Sequence, residues 1–528
     1  MSWKSRISAL ALALAVLGGG GLTATPSSAQ TRTISGAFDV GPGGLQGNFN
    51  TLSATSGFTW LMNYFEPLVI YDDKLANVIG ALAKSYQVSA DQMSYTFNLV
   101  DTKWHDGQAF TSKDVAFTIA LARNAKSGSV FAARLGNITA VENPDDHTVV
   151  IRLKEPTPNL LDSLTKLLML PEHALAAIPP EQIAKNAWWS TAPVGTGPFR
   201  FVKYVTDQYV ELAANQDFRD GRPAVDRLIN RYFADAAAAI SALRSGEIQF
   251  TYVEANDVPT FRDNRDYRII EGGSFVVNYL GFNQEAGLWA DLRVRQAVMY
   301  AIDREAIIKS LYRGAAKAAN CVYADGRLVP ADINPYSHDP AKARKLLAEA
   351  GWEKINGSKP ITVLTYYNAP LTNNVLAAVQ SMLAQVGINI VPRAVDTPTY
   401  NATVLKVPGN AQDYPLIFAG LQNGPDPSSI NPGLNEKQIP PAGVNIARIK
   451  MPAVTQALDS ALSQTDQAKS AAAYQEVCRA TNANLPWATL WVANRYGVAS
   501  NKLKDFVWMP APGGGPYQAH PEKWSISQ

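Results

Sequence analysis

The stretch Phe97–Phe117, FNLVDTKWHDGQAFTSKDVAF, decides how the rest of the chain is read. It opens with alternation: Tyr95, Phe97 and Leu99 fall on one side of an extended chain with polar residues between them, as in a half-buried strand. Trp104, Asp106 and Gly107 then make an Asp-Gly turn, and Thr111 reads as a helix N-cap. Asp114 lies three residues after the cap, and Val115, Phe117 and Ile119 begin an apolar face, so Thr-x-x-Asp imitates a capping box with a shorter acid. By itself the stretch says strand, turn, helix.

Toward the N-terminus, Lys4 and Arg6 precede the apolar run Ile7–Leu17, which is too short to span a bilayer. Small residues lead to Ser27-Ser28-Ala29, so residues 1–29 are expected to be a signal peptide cut after Ala29, with no cysteine nearby to carry a lipid. No later stretch approaches eighteen unbroken apolar residues, so a soluble, exported (periplasmic) protein is expected. About 500 residues remain, room for roughly three domains. Without Lys4 and Arg6 the formal charge of +2 falls to zero, which offers no field for nucleic acid or anionic lipid. In an oxidising compartment Cys321 and Cys478 could pair, closing a long loop worth about 4–5 kcal/mol on the chain-entropy model; two buried thiols are the alternative.

Along the chain, strands are expected at Thr33–Val40, Leu68–Tyr71, within Ala81–Leu99, at His147–Leu153, from Phe199 and Tyr209, and at Val276–Phe282. Helices are expected at Thr59–Phe65, from Thr111 to about Arg123, at Asp235–Arg244, and from Leu292 past Asp303 to Leu311. The last third alternates: helix Pro340–Ala350, strand Ile361–Tyr366, helix Asn373–Gln385, strand Ile388–Val395, a rhythm that reads as an α/β unit with a parallel pair. After Pro415–Gly420 a polar, proline-rich loop runs to about Ala447, followed by helices from Ala453 and Gln467.

Catalytic and metal signatures are missing from the sequence. Its five histidines lie at no metal-ligand spacing, and no HExxH, CxxC, G-x-S-x-G or Walker loop occurs. Gly195-Thr196-Gly197 imitates a dinucleotide turn, but Pro198 follows and a strand comes next, so a structural turn is the better reading. His105 and Asp106 are adjacent in a turn, where side chains point apart. No enzyme, cofactor or metal is expected.

In order along the chain, Trp104-His105-Asp106-Gly107 with Phe110–Val115, Val194–Phe199, Leu280–Asn283, Leu292–Ala297 with Ala301–Arg304, Ala348–Trp352 and Asp426-Pro427 resemble one family. It is the extracellular solute-binding proteins of ABC importers, of the oligopeptide/dipeptide/nickel-binding type (family 5). The resemblance implies an α/β, two-lobed periplasmic-binding-protein (Venus-flytrap, type II) fold with an additional domain on the first lobe. Domain I would take 30–73, 195–278 and 500–528, domain II, the extra one, 74–194, and domain III 279–499. It also implies a solute closed between two lobes and passed to membrane permease subunits, with the binding protein a monomer.

In peptide-binding members an Asp shortly before the Asp-Pro holds the ligand's α-ammonium. The matching segment here is Gly420-Leu421-Gln422-Asn423-Gly424-Pro425-Asp426-Pro427, which puts Asn423 in that place, with Asp426 able to substitute. From Pro360 to Ala384 no charged residue occurs, so the arginine with which dipeptide-binding members grip the ligand's carboxylate is lacking. A buried ammonium without a counter-charge is costly, so a neutral, hydroxyl-rich solute such as an oligosaccharide is expected, with a peptide whose ends are masked or distant as the alternative. Thr55, Ser56, Gly57 and Trp60 are a second candidate wall, Tyr366 and Tyr367 a third, and Trp491 a further aromatic. A secreted hydrolase and a chemoreceptor-linked sensor are the competing functions.

Overall fold

The computed structural model describes residues 31–527 apart from 41–48, 54–60, 74, 76, 234, 423, 465 and 511–515. The proposed signal peptide, the glycine-rich segment after Val40 and the first two residues of the expected helix Thr59–Phe65 therefore lie outside the described residues, and the rest of that helix is a turn in which Tyr64 N–H and Phe65 N–H donate to Leu61 O.

Two long strands, Tyr267–Phe282 and Trp487–Ser500, pair antiparallel down the middle of an eleven-stranded sheet. Their first common half runs from Tyr267 opposite Ser500 to Gly273 opposite Asn494, and their second from Val277 opposite Val492 to Gly281 opposite Trp487. Pairing lapses between Gly273 and Val277. On one side of the lapse the sheet continues through Phe250–Val253, Thr33–Val40, Arg227–Phe233, Tyr209–Ala214 and Phe199–Val205. On the other it continues through Leu416–Gln422, Ile361–Thr365 and Ile390–Ala394. Each half contains parallel pairs, so each presents a row of strand carboxyl ends.

In the second half both sheet faces are covered, because alternate residues of one strand enter different cores. Leu280, Phe282, Leu416 and Phe418 pack with the helices Leu292–Ala301 and Pro370–Ala384. Tyr279, Ile417 and Ala419 pack on the opposite side with Trp487, Val454 and Leu458. The helix expected to run from Leu292 to Leu311 is two helices: it stops at Ala301, and Asp303 caps a new one, Arg304–Ser310, by accepting from Ala306 N–H. Cys321 and Cys478 are joined by a disulfide, with Cα atoms 5.3 Å apart.

The stretch Phe97–Phe117 belongs to a separate four-stranded antiparallel sheet, in the order Ala83–Val88, Ser94–Leu99, Thr148–Leu153, Ile138–Asp145, carrying the helix Ser112–Arg123. Asp114 is its fastening point: Oδ2 accepts from Thr111 N–H and from the Trp104 indole N–H, and Oδ1 accepts from Glu172 N–H. Trp104 is buried, and Asp106 pairs with His173 rather than with His105.

His105 ties this sheet to the Gly195-Thr196-Gly197 loop. Its backbone N–H donates to Gly195 O, Gly195 N–H donates to Nδ1, and Nε2 meets Gly197 O at 2.9 Å. Only the neutral ring protonated on Nε2 satisfies both ring contacts. The loop in turn lies hard against Asn63 and Tyr64: a Cβ on Gly195 would come within 1.7 Å of Tyr64 O. Those glycines serve close backbone approach, not a phosphate.

Burial drives the His105 ring down to about 4 from its ordinary value, opposed by the bond to Gly197 and helped by the nearby Arg200 cation. An unfolded chain takes a proton below about pH 6.5 that the fold refuses until about pH 4. The stability due to neutral His105 is therefore full above pH 6.5 and is lost between 6.5 and 4, by at most about 3 kcal/mol. Urea unfolding at several pH values should show this slope in the native chain and lose it in His105→Gln, and an unchanged slope in the variant would refute the assignment.

Candidate functional site

The strands Ile361–Thr365, Ile390–Ala394 and Leu416–Gln422 share one direction, so the residues that follow them gather at one edge of the second half. Carboxyl ends of parallel strands are where open α/β sheets place ligands. Tyr366 and Tyr367 follow the first of these strands, and the loop carrying Asp426 follows the third. Because Gly420 pairs with Asn278 and Gln422 with Val276, that third strand ends beside the lapse in the central ladder, where the halves meet.

Tyr366 and Tyr367 are half-buried, and their hydroxyls meet at 3.3 Å. Tyr400 packs edge-on against Tyr366, and Tyr367 against Phe418. Gly420 makes room for this arrangement: a Cβ there would lie 2.4 Å from Tyr367 Oη and 2.5 Å from Val276 Cγ1. Leu421 is half-buried, and its Cδ1 approaches Gly433 beside the Trp487 ring. Burial, then the neighbouring phenols, hold the Tyr366 hydroxyl far above its ordinary value, so it acts as a neutral hydrogen-bonding group.

Asp426 is the charged member. It caps the turn Pro427–Ile430, accepting from Ser428 N–H at 2.8 Å. Burial, then the like charge of Asp162, push its carboxyl up to about 6, against the lowering effect of Ser428 and Lys166. Asp162 lies on the helix Leu160–Lys166 in the other half of the molecule, where Tyr71 Oη donates to Oδ1 at 3.0 Å and Lys166 Nζ reaches Oδ2 at 2.7 Å. Burial, then Asp162, then Asp426 raise Tyr71, so the two carboxylates and this phenol share one neighbourhood. From the Asp426 side Tyr323 and Tyr474 contribute phenols, both raised by burial and by the Asp426 charge.

A second carboxylate, Glu254, follows the strand Phe250–Val253 in the first half. Protein around it and then Asp257 raise its carboxyl, while Arg495 opposes them. Its charge reaches Tyr312, whose hydroxyl also accepts from the Trp491 indole N–H at 2.9 Å.

The sequence-based candidates thus separate. Tyr366, Tyr367, Gly420, Leu421 and Asp426 come together at one edge, with Gln422 closing the strand. Trp491 is a correction: it is fully buried in the core with its single polar atom already used, so it lies behind the wall and does not face solute. Thr55, Ser56, Gly57, Trp60 and Asn423 lie outside the described residues. Tyr71, Asp162, Lys166, Tyr323 and Glu254 were not singled out from the sequence. Asp162 and Lys166 are an i, i+4 pair on the helix Leu160–Lys166, a helix not expected from the sequence.

A two-halved α/β molecule whose halves share one antiparallel pair, with tyrosines at the strand ends beside the crossing, has the form of a solute-binding protein. Residues 77–438 match the model of the bacterial extracellular solute-binding proteins, family 5, and the chain belongs to that family. A Brucella melitensis protein provisionally named an ABC transporter peptide-binding protein is 71% identical over 526 residues, covering 100% of both chains. The structure is similar to that of the oligopeptide-binding protein AppA from Bacillus subtilis in complex with a nonapeptide, with a TM-score of 0.82, 25% identity and coverage of 94% of this chain and 100% of that one. It is also similar to NikZ from Campylobacter jejuni in complex with Ni(L-His), with a TM-score of 0.80, 25% identity and coverage of 94% and 99%. The family is one of transport components that bind solute outside the cytoplasm, and its two-lobed fold is the fold of this chain.

Two outcomes check the site. Above pH 6 the native chain carries the cost of a charged Asp426, which vanishes as the carboxyl protonates between about 6 and 4. Ligand-free Asp426→Asn, which keeps the turn cap, should therefore be more stable than the native chain at pH 7 by about 1–3 kcal/mol, with no difference at pH 4 in thermal melts. Gly420→Ala should displace Tyr367 and cost about 1–3 kcal/mol, with a loss of solute affinity; an unchanged affinity would remove Tyr367 from the wall.

Proposed function

We propose that this chain captures a peptide-type solute between its two lobes and presents it, closed, to the membrane permease subunits of an ABC importer. The observation that carries the ligand class is Asp426, a carboxylate enclosed at the meeting of the lobes with no ion-pair partner of its own among the described residues. A neutral sugar would leave that charge uncompensated, whereas an ammonium answers it. This turns the reading away from the oligosaccharide favoured by Asn423 alone and toward the peptide alternative. The uncharged segment after Pro360 fits a peptide whose carboxylate end lies beyond it, so a chain longer than a dipeptide is favoured. The name of the Brucella relative and the nonapeptide of AppA support the same class.

The half-buried tyrosines supply flat faces and neutral hydroxyls for side chains and backbone. Closure about the strand crossing would bury the solute, and the closed form would be what the permease recognises. We also place the lobe division at the sequence-derived boundaries, 30–73 with 195–278 and 500–528 for the first lobe and 279–499 for the second, with 74–194 as the extra domain.

The test is mass spectrometry of whatever co-purifies, released by mild denaturation, followed by calorimetry with tripeptides to nonapeptides and with maltotriose. Bound peptide, with chemically unaltered recovery, is expected. Saturable binding of maltotriose with no peptide binding would overturn the ligand class.

A further inference from the structure

The central strand Tyr267–Phe282 carries a polar side chain that the fold leaves unused. On the face that packs with Leu292–Ala301 and Pro370–Ala384, alternate residues run Phe282, Leu280, Asn278, and on the neighbouring strand Leu416, Phe418, Gly420. The two apolar columns end together, because Asn278 lies opposite Gly420, beside the lapse in the ladder. The backbone of Asn278 is paired on both sides, with Gly420 and with Trp491. Its side-chain amide is half-buried and makes no hydrogen bond among the described residues. A strand covered on both faces reads as apolar throughout, and an amide placed there costs free energy until a partner meets it. A second group converges on the same place. Asn278 Nδ2 and Tyr367 Oη lie 3.1 and 2.4 Å from the point that a Cβ on Gly420 would occupy. Tyr366 Oη donates to Tyr367 Oη at 3.3 Å, which leaves the Tyr367 proton to be given elsewhere.

We propose that Asn278 and Tyr367 form a two-donor clamp for an amide carbonyl oxygen of the solute, Asn278 giving an Nδ2 proton and Tyr367 its hydroxyl proton. A carbonyl oxygen has two lone pairs, so one oxygen satisfies both donors at once. Both donors are neutral, which matches them to a neutral oxygen. A carboxylate would exchange its full hydration for two uncharged partners, and that exchange is costly. Asn278 Oδ1 is still available as an acceptor, so the same side chain can also take the N–H of an amide. Gly420 is what lets the donors meet: any Cβ would fill the space between them. The clamp sits on the strand that both halves share, so a solute held there engages a backbone that continues into each of them.

This inference rests on the reading that solute binds between the lobes, but it can be tested apart from the peptide assignment. Trialanine, its two monothioamide analogues and N,N′-diacetylchitobiose, a sugar that carries amide carbonyls, are titrated by calorimetry into the full chain and into Asn278→Ala and Tyr367→Phe. Ligand-free Asn278→Ala should melt with the native chain, because the amide it loses bonds nothing. Each substitution should weaken trialanine about three- to tenfold, the worth of one neutral hydrogen bond. One thioamide analogue, whose sulfur is a poor acceptor, should bind the native chain more weakly by a similar factor and lose nothing further in Asn278→Ala. The thioamide comparison in the native chain does not depend on the folding of any variant. If trialanine fails to bind but diacetylchitobiose binds with the same dependence on both residues, the peptide assignment falls and the clamp stands. Unchanged affinity in Asn278→Ala, equal binding of trialanine and both thioamide analogues, or binding of neither trialanine nor diacetylchitobiose would overturn the clamp.

Discussion

Everything in this molecule hangs on one pairing, that of Tyr267–Phe282 with Trp487–Ser500. Both strands belong to both halves, so the hydrogen bonds that build each half also join them. Two connections of this kind restrain the relative motion of the halves far more than a single linker does. The lapse between Gly273 and Val277 leaves a short length without ladder bonds at the crossing, which is where a hinge costs least in broken structure. The strand bearing residues 420–422 is registered on Val276–Asn278, so these residues lie beside the lapse.

Buried arginines reinforce the second half around this pair. Arg304 donates to the carbonyls of Ala319, Pro335 and Tyr336 and to Asn320, and Arg295 donates to the carbonyls of Ala290 and Asn484. Burial drives both guanidiniums down to about 10, so they remain charged at any physiological pH. Their partners are backbone carbonyls from loops and helix ends, groups that would otherwise be orphaned. The Leu292–Ala297 and Ala301–Arg304 motifs are therefore explained by loop organisation and not by solute contact.

Much of the fold was legible because local rules and tertiary fold agree over long stretches. Pro340–Ala350, with Asp339 as cap and Gly351 in the left-handed region after it, ends where its residues say it should. The central pair was half hidden. Val276–Phe282 was visible as a strand, but Tyr267–Ser274 and all of Trp487–Ser500 were not, because each strand serves two halves with different burial and carries no single alternation. The site was legible only where neighbours in sequence are neighbours in space, as at Tyr366, Tyr367 and Gly420 to Asp426. Asp162 and Lys166 are about 260 residues from Asp426, and Trp491 misled because an aromatic rich enough for a ligand wall is equally suited to the core behind it.

The disulfide has a consequence for timing. It fastens the helix Gln467–Asn484 to the segment after Ala316–Ala318 across 157 residues of chain. A cross-link of that span removes about 4–5 kcal/mol of freedom from the unfolded chain on the entropic account, but only where thiols are oxidised. Where thiols stay reduced, the cross-link is missing and the unfolded chain keeps that freedom. Oxidation therefore works as a catch: the second half gains this part of its stability only in a compartment where the bond can form.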